Sequence, residues 1–533
     1  MPSLSISTAN SASWTIKQLF GAMGIKNPPN KKAITVDKSG VVKIKDRQNK
    51  VRFNQKLYSR KDLDALMKAL GQSLPDAKAK LPLLSDDKAT WNLYNSIRAC
   101  RFENRVNSYW FRDQDDWASE LEDKYRRGRR FDLPMVELPA DRVDILSVAR
   151  KPVGLAKIEK YFDRGDTRYF PVHPQELKDL KKDGKADAEI ENVRCASSDR
   201  TLHAVIPGAK DFLLKVPLNR VVHDGIIRPI SSSEAQGAIA MSEFLMDWVD
   251  THKIKDDSFC FFPEAMAVVD KRSDSAAIVR MTTPYPPPKN REKTWTVCAF
   301  SLYAKDTDFP DEPPMLQRMV NNRPDKSQSK LDYFAENILA PLTKSVFRVA
   351  LDIGSSQVPH GQNLFLEIGE DGQSTGRAPH ADLESFWPLP ELAKATKRED
   401  YYKKNGFKYV KSHFEAKCWD TFRSYYLEGL LAPILQCYIE ENPEDAHAVI
   451  ERTEKMVSSE IQARQKTINK FNKEGQPLRM FDRLGNGKFP LMNIIKWFMS
   501  DESLDAIEET KPANTPAVRP QAMSLLELRA ANG

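Results

Sequence analysis

The sequence predicts an α+β protein in three parts, and three observations carry that prediction. Residues 1–165 have mainly helical periodicity, residues 166–330 break into short β-type runs, and residues 331–500 return to long amphipathic helices. The tail, 501–533, carries Pro512, Pro516 and Pro520 and reads as flexible. With 533 residues, the chain can form several units with sizeable cores, because a single domain spans about 100 to 200 residues.

In the first part, AITVDKSGVVKIK sets two apolar runs around Lys38-Ser39-Gly40, a hairpin pattern. Helices are expected next. From Lys61, KDLDALMKALGQSL puts Leu63, Leu66 and Leu70 on one face, and Trp91 to Arg105 is similarly amphipathic.

After Arg164 come TRYFPVH, TLHAVIP, DFLLKVP, IIRPIS, AMAVVD, AAIVRM and TWTVCAFSL, separated by turn residues. These imply a mixed sheet, with one helix interrupting it over Ser233 to Asp250. The PYPPP stretch from Pro284 to Pro288 is expected to be an extended, exposed connector, since consecutive prolines cannot feed a ladder. A polar loop from Lys305 to Lys330 should close this part. The third part opens with Phe334, Ile338, Leu342, Val346, Val349 and Ile353 three or four residues apart, a buried-face helix bent near Pro341 and stopped by Gly354. Helical patterns follow over Trp419 to Tyr438 and Pro443 to Phe471.

Composition narrows the functional classes. The net charge of +7 is the difference between 81 basic and 74 acidic side chains. Neither Lys43, Lys45, Arg47 and Lys50 nor the run Arg126, Arg127, Arg129, Arg130 comes with a nucleic-acid-binding motif. Nucleic acid is therefore not an expected partner. The six cysteines are scattered without CxxC spacing and read as reduced. Mean hydropathy is −0.55, no run approaches about 18 apolar residues, and the N-terminus lacks a signal-peptide pattern. No membrane association and a cytoplasmic location are the expectation.

Three polar clusters could carry chemistry. The first, Tyr169-Phe-Pro-Val-His173-Pro174, reads as a pocket wall or a braced turn. The second, Ser197-Ser198-Asp199-Arg200-Thr201 followed by Lys215 and Arg228, has the character of a polyanion site. Arginine grips phosphate with paired hydrogen bonds, lysine adds a compact charge, and the hydroxyls add donors. Exposed strand residues in surface ion pairs are the plainer alternative. The third, His360-Gly361-Gln362-Asn363 with Asp382, lies beyond the Gly354 stop, a binding-loop position. His, Gln and Asn can contact a nucleotide or a reacting carboxylate, and Asp382 could hold Mg²⁺; a structural turn histidine is the alternative. A P-loop, a dinucleotide fingerprint, HExxH and GxSxG are all missing. Any ATP must then be held by side chains without a glycine cradle.

The order PVHP, SSDRT, spaced Lys and Arg, HGQN and a downstream Asp resembles the NRPS-independent siderophore synthetases of the aerobactin-synthetase type, over His173 to Asp382. That resemblance implies a cradled hand with a helical thumb, β-rich fingers and a helical palm. It further implies ATP contacts from Ser198, Arg200, Thr201, Lys215, His360, Gln362 and Asn363, with Arg280 of AAIVRM as a further strand arginine. Arg228 would contact carboxylate or phosphate, Asp382 would bind Mg²⁺, and His360, Arg228 and Lys215 would be the catalytic groups. The implied reaction joins citrate or a related polycarboxylate to an amine or alcohol through an acyl-adenylate, with homodimerisation left open. The chain departs from the family pattern in two places: SVARKPVGLAKIEKYF stands where a GHPxHPxxK-type motif is common, and Val358 replaces an acidic residue. A phosphotransferase releasing ADP and a non-catalytic effector on the same scaffold remain alternatives. Arg479, Arg483 and Lys488 could close on a second carboxylate or face solvent.

Overall fold

A computed structural model describes residues 130–180, 186–252, 259–288, 294–303, 313–369, 373–388, 421–473 and 505–510 with short breaks, and three strands before them. Those strands are β1 (Ala33–Val36), β2 (Val41–Lys45) and β3 (Val51–Lys56). They pair antiparallel, with Ile34 opposite Ile44 and Val36 opposite Val42, which is the hairpin expected around Lys38-Ser39-Gly40. The helices expected from Lys61 and over Trp91 to Arg105 lie outside the described residues, as do Arg479, Arg483 and Lys488.

The strands that follow are β4 (Arg130–Pro139), β5 (Val143–Ser147), β6 (Thr167–Pro171), β7 (Ala188–Ser198), β8 (Thr201–Ala204), β9 (Phe212–Lys215), β10 (Leu218–His223), β11 (Ile226–Arg228), β12 (Phe259–Phe261), β13 (Glu264–Asp270), β14 (Ser275–Met281) and β15 (Thr294–Cys298). Eight of them form one sheet in the order β5-β13-β14-β9-β8-β7-β4-β6. Every pairing in it is antiparallel, which corrects the expected mixed sheet. The reason lies in the connections: β7-β8-β9 and β13-β14 join through short turns, and parallel neighbours need long crossovers. The sheet also begins at Arg130, ahead of the composition change at Arg164. Pro134 and Pro139 disguise β4, yet Leu133 and Met135 are fully buried on one face, next to a register shift between Phe131 and Leu133.

The helix Ser232–His252 covers the sheet, burying Ala235, Ala238, Phe244, Leu245 and Trp248. A reciprocal cap starts it: the Ser231 N–H donates to Glu234 Oε2 (2.8 Å) and the Glu234 N–H donates to Ser231 Oγ (3.2 Å). Within it, buried Ser242 donates to the Glu264 carbonyl and accepts from the Glu264 N–H, both at 2.9 Å. The start of β13 is thereby pinned to the helix.

Two connectors differ from expectation. Pro284 and Pro288 are buried, and Tyr285 between them exchanges two backbone hydrogen bonds with Phe261 (2.7 and 3.0 Å). Tyr285 still has an N–H, so the proline run yields one bridge where the prolines themselves cannot. Within the expected polar loop, Met315–Asn321 is a helix whose Met315, Leu316, Met319 and Val320 are buried.

A continuous helix runs through Lys330–Phe334, Ala335–Leu339, Ala340–Phe347 and Arg348–Ile353, the second and fourth stretches with π geometry. The first π turn lies just before Pro341, where the missing N–H breaks the α ladder. Gly354 ends the helix in the left-handed conformation (φ 62°), as its place in the sequence predicts. This helix packs with Phe422–Leu431, Ala432–Glu441 and Ala446–Ala463 around a second core, in which Phe334 stacks on Tyr438 at 4.3 Å. No described helix is long and apolar enough to cross a membrane.

Four short strands stitch the halves together: β16 (Ser355–Ser356), β17 (Phe365–Gly369), β18 (Ala378–His380) and β19 (Trp387–Pro388). β17 pairs antiparallel with β15 and β18 parallel with β12. Val349 and Ile353 from the helical half and Leu383 and Phe386 from the chain after β18 enter the core of the sheet. That interlock lays the 380–386 segment against the strands that carry the basic residues.

Candidate active site

Strand register places the basic residues on one face. Lys215 is opposite Thr201 on β8 and opposite Ile278 on β14, so Arg280, two residues on, points to the same side. Glu264 on β13 is opposite Arg280. At the β7-β8 end Ser198 is opposite Thr201, their hydroxyl oxygens 2.8 Å apart. One face of β7, β8, β9, β14 and β13 therefore carries Ser198, Thr201, Lys215, Arg280 and Glu264 in a row.

The turn after β18 crosses this row. Lys215 Nζ donates to Asp382 Oδ1 at 2.5 Å and to Glu384 Oε1 at 2.7 Å. Arg280 Nη2 lies 2.6 Å from Glu264 Oε1 and 3.3 Å from Asp382 Oδ1. Arg200 Nη2 is 3.9 Å from Glu384 Oε1, while its Nη1 donates to the carbonyls of Arg228 (3.0 Å) and Pro229 (3.2 Å). Asp382 adopts a left-handed backbone (φ 64°), which aspartate tolerates better than most residues, and begins the short 3₁₀ turn Leu383–Ser385.

The burial is unusual for charged groups. Glu264 is 0%, Arg280 3% and Lys215 4% exposed, so each needs its partner to offset desolvation. Burial pushes the Asp382 carboxyl up, but Lys215, Arg280 and Arg200 together hold it well below the usual carboxylate range. Burial raises the Glu264 carboxyl against the opposing pull of Arg280 and Lys215.

The HGQN segment is a turn beside this cluster. The Gln362 N–H donates to His360 Nδ1 (3.1 Å), so the proton of the neutral ring sits on Nε2. Burial lowers the His360 pKa to about 4, with Asp382 opposing and Arg228 reinforcing the shift. Asn363 is structural as well as polar: its Nδ2 donates to the Val358 carbonyl (3.1 Å) and its carbonyl accepts from the Ala381 N–H (2.8 Å), tying the turn to the Asp382 segment. Gly361 has no substitute of larger size, because a Cβ there would meet Phe300 Cβ at 2.6 Å and Phe300 Cα at 2.9 Å.

Lys215 and Arg280 thus meet Asp382 directly, Arg200 joins them through Glu384, and His360 and Arg228 lie within electrostatic reach. Ser198 and Thr201 extend the row, whereas the Arg228 side chain is exposed at the rim. His173 belongs elsewhere: it is fully buried, lies edge-on to Phe131 at 5.9 Å, and accepts from the Gln175 N–H at 3.3 Å, a braced turn.

Glu384 and Glu264 escaped the sequence reading. Glu264 was findable from the hairpin itself, since a turn at 271–274 pairs the two strand ends. Glu384 had only its place two residues beyond Asp382 as a signal. Its Oε2 is buried without a hydrogen-bond partner among the described residues. Among these residues no group of three or more His, Cys, Asp or Glu is arranged to hold a metal. Asp382 and Glu384 on one turn nevertheless fit Mg²⁺, which takes one or two carboxylates and completes its shell with water and phosphate oxygens.

No protein-family model matches the sequence, and no curated protein matches it. Solved structures do match. ATP-bound aerobactin synthetase IucA from a hypervirulent pathotype of Klebsiella pneumoniae is 12% identical, with 83% of this chain and 92% of that one covered at a TM-score of 0.52. The petrobactin biosynthesis protein AsbB from Bacillus anthracis str. Sterne is 15% identical over 87% and 88%, TM-score 0.52. Aerobactin synthetase IucC from the same Klebsiella pathotype is 14% identical over 85% and 90%, TM-score 0.52. The chain therefore has the fold of the NRPS-independent siderophore synthetases of the aerobactin type, the family its motif order resembles.

Proposed function

We propose that this protein is an ATP-dependent ligase of siderophore-type biosynthesis that activates citrate or a related polycarboxylate as an acyl-adenylate and passes the acyl group to an amine or alcohol. The observation that carries the reading is the meeting of Lys215, Arg200 and Arg280 with the Asp382-Glu384 turn beside HGQN, within a fold shared with an ATP-bound synthetase.

In this mechanism a substrate carboxylate oxygen attacks the α-phosphorus, and pyrophosphate leaves. The amine or hydroxyl then attacks the acyl carbon, loses its proton and releases AMP. Lys215 and Arg200 offset charge on the phosphates, and Ser198 and Thr201 add hydroxyl donors. Arg228, at the rim, guides the incoming carboxylate. His360, kept neutral by burial, donates to an oxygen where the carboxylate meets phosphorus. Gln362 adds an amide next to it. Mg²⁺ held by Asp382 and Glu384 would supply further neutralisation of the phosphates.

The same reading takes the protein as cytoplasmic, acting on small molecules without nucleic acid or membrane. It retains the hand-like division into thumb, fingers and palm, with β4 and β5 added to the fingers. Incubation with ATP, Mg²⁺ and a panel of carboxylates crossed with amines and alcohols tests it. AMP and pyrophosphate are the expected products, with turnover about 10²- to 10³-fold lower in Lys215→Ala. ADP as the product, or intact ATP across the whole panel, sinks the proposal.

A further inference from the structure

The centre of the site is nearly electroneutral. Three cations, Lys215, Arg200 and Arg280, face three carboxylates, Asp382, Glu384 and Glu264, all within one chain of ion pairs. A polyphosphate carrying three or four negative charges meets little net field there. Lys215 is also hidden: it is 4% exposed, and its ammonium is held by two carboxylates from a single turn. Glu384 does more than the function proposed above requires of it. Its Oε1 bridges Lys215 and Arg200, and its Oε2 is buried with no hydrogen-bond partner among the described residues. A buried acceptor left open in this way is costly unless something occupies it at some stage of the protein's cycle.

We propose that Glu384, together with Asp382, is an anionic latch on Lys215: a divalent cation draws both carboxylates to itself and frees the ammonium for a polyphosphate, so that cation and polyphosphate bind cooperatively. In the structure the ammonium lies between the two carboxylates that would hold the cation. Glu384 is on this account a positioning residue, acting through Lys215. The inference rests on the polyanion site of the function proposed above, but it needs neither the adenylate nor citrate.

Calorimetric titration with inorganic tripolyphosphate, in EDTA and again in Mg²⁺, tests the latch independently of turnover. Neutralising Glu384 leaves the cluster one charge more positive and loses a charge-assisted hydrogen bond that competes with phosphate. Glu384→Gln should therefore bind tripolyphosphate in EDTA about 10-fold tighter than the wild-type chain. Its gain on adding Mg²⁺ should shrink by a comparable factor, and Glu384→Asp, which keeps the charge, should stay near wild type in EDTA. Weaker or unchanged metal-free binding in Glu384→Gln overturns the latch. A second readout needs no substitution: acetylation of wild-type Lys215, followed by peptide mass spectrometry, should speed up several-fold with Mg²⁺ alone, and no change or a slowing also overturns it. If tripolyphosphate behaves as expected while no carboxylate yields AMP, the latch stands and the ligase reading fails. If AMP forms but the Glu384 variants do not differ, the reverse holds.

Discussion

Arg280 and Glu264 show what a buried charge demands of its neighbours. Each is almost fully enclosed, and Glu264 Oε1 is 2.6 Å from Arg280 Nη2. Removing one partner strands the other in a low-dielectric interior, so Glu264→Ala should cost about 3 to 5 kcal/mol in a urea titration, several times the cost of a surface substitution. Histidines kept neutral by burial weaken the fold in acid. His173 and His380, 0% and 1% exposed, have pKa values lowered to about 4 and about 3, in both cases chiefly by burial. The unfolded chain holds these protons near pH 6.5, so between that pH and the folded values the unfolded state binds more of them. Their contribution is complete above pH 6.5 and is lost as pH falls towards 4 and then 3, by about 3 kcal/mol for His173 and about 5 kcal/mol for His380. Urea midpoints measured from pH 7.5 down to 4.5 should fall accordingly, and His380→Gln should flatten the slope. Lys215 was legible in the sequence because a basic residue in an apolar strand stands out, Arg200 and His360 because each lies in a polar turn segment next to a strand, and Arg280 through the family resemblance. Glu264 and Glu384 were not, because an acidic residue at a strand end or in a turn looks like ordinary surface until its partner is known.

At the level of elements, local patterns were read where the physics is local. The β1-β2 hairpin, the Gly354 stop and the helix within a residue or two of Ser233 to Asp250 all follow from turn chemistry, a left-handed cap and a capping box. β4 was missed because Pro134 and Pro139 interrupt its apolar run, in which Leu133, Pro134, Met135 and Val136 are all buried. The helix Met315–Asn321 was missed because its apolar face is shorter than the polar sequence around it. The HGQN turn supplies the test at this scale. Gly361 lies against Phe300, and the Phe300 N–H donates to the Gly361 carbonyl at 3.0 Å. Because one of the blocking atoms is backbone, Gly361→Ala cannot be absorbed by a rotamer change. It should cost about 1 to 3 kcal/mol of stability, and displacement of His360 should weaken ATP binding in the same protein, read by calorimetry.

Across the whole molecule, Val349 and Ile353 of the helical half enter the core of the sheet beside Leu383 and Phe386, and the candidate site is built there. Leu383 is fully buried in the core of the sheet, and on either side of it Asp382 and Glu384 reach Lys215. Leu383→Ala should cost about 2 to 5 kcal/mol and should also loosen Mg²⁺-dependent nucleotide binding. An equally buried leucine remote from the turn, such as Leu435 in the helical core, should lose stability on truncation while retaining ATP affinity. By itself the sequence determined the α+β class, many of the strands, the long helices of the described residues, the basic residue types and the order of motifs, because each depends on neighbours within a few positions. Only the tertiary structure decided that β9 lies between β14 and β8, that the sheet is antiparallel throughout, and that a turn some 170 residues after Lys215 lies across it. Strand order and register are fixed by which faces can be buried together. That is a property of the whole chain, and it is what turned scattered charges into a single cluster with its own counter-ions.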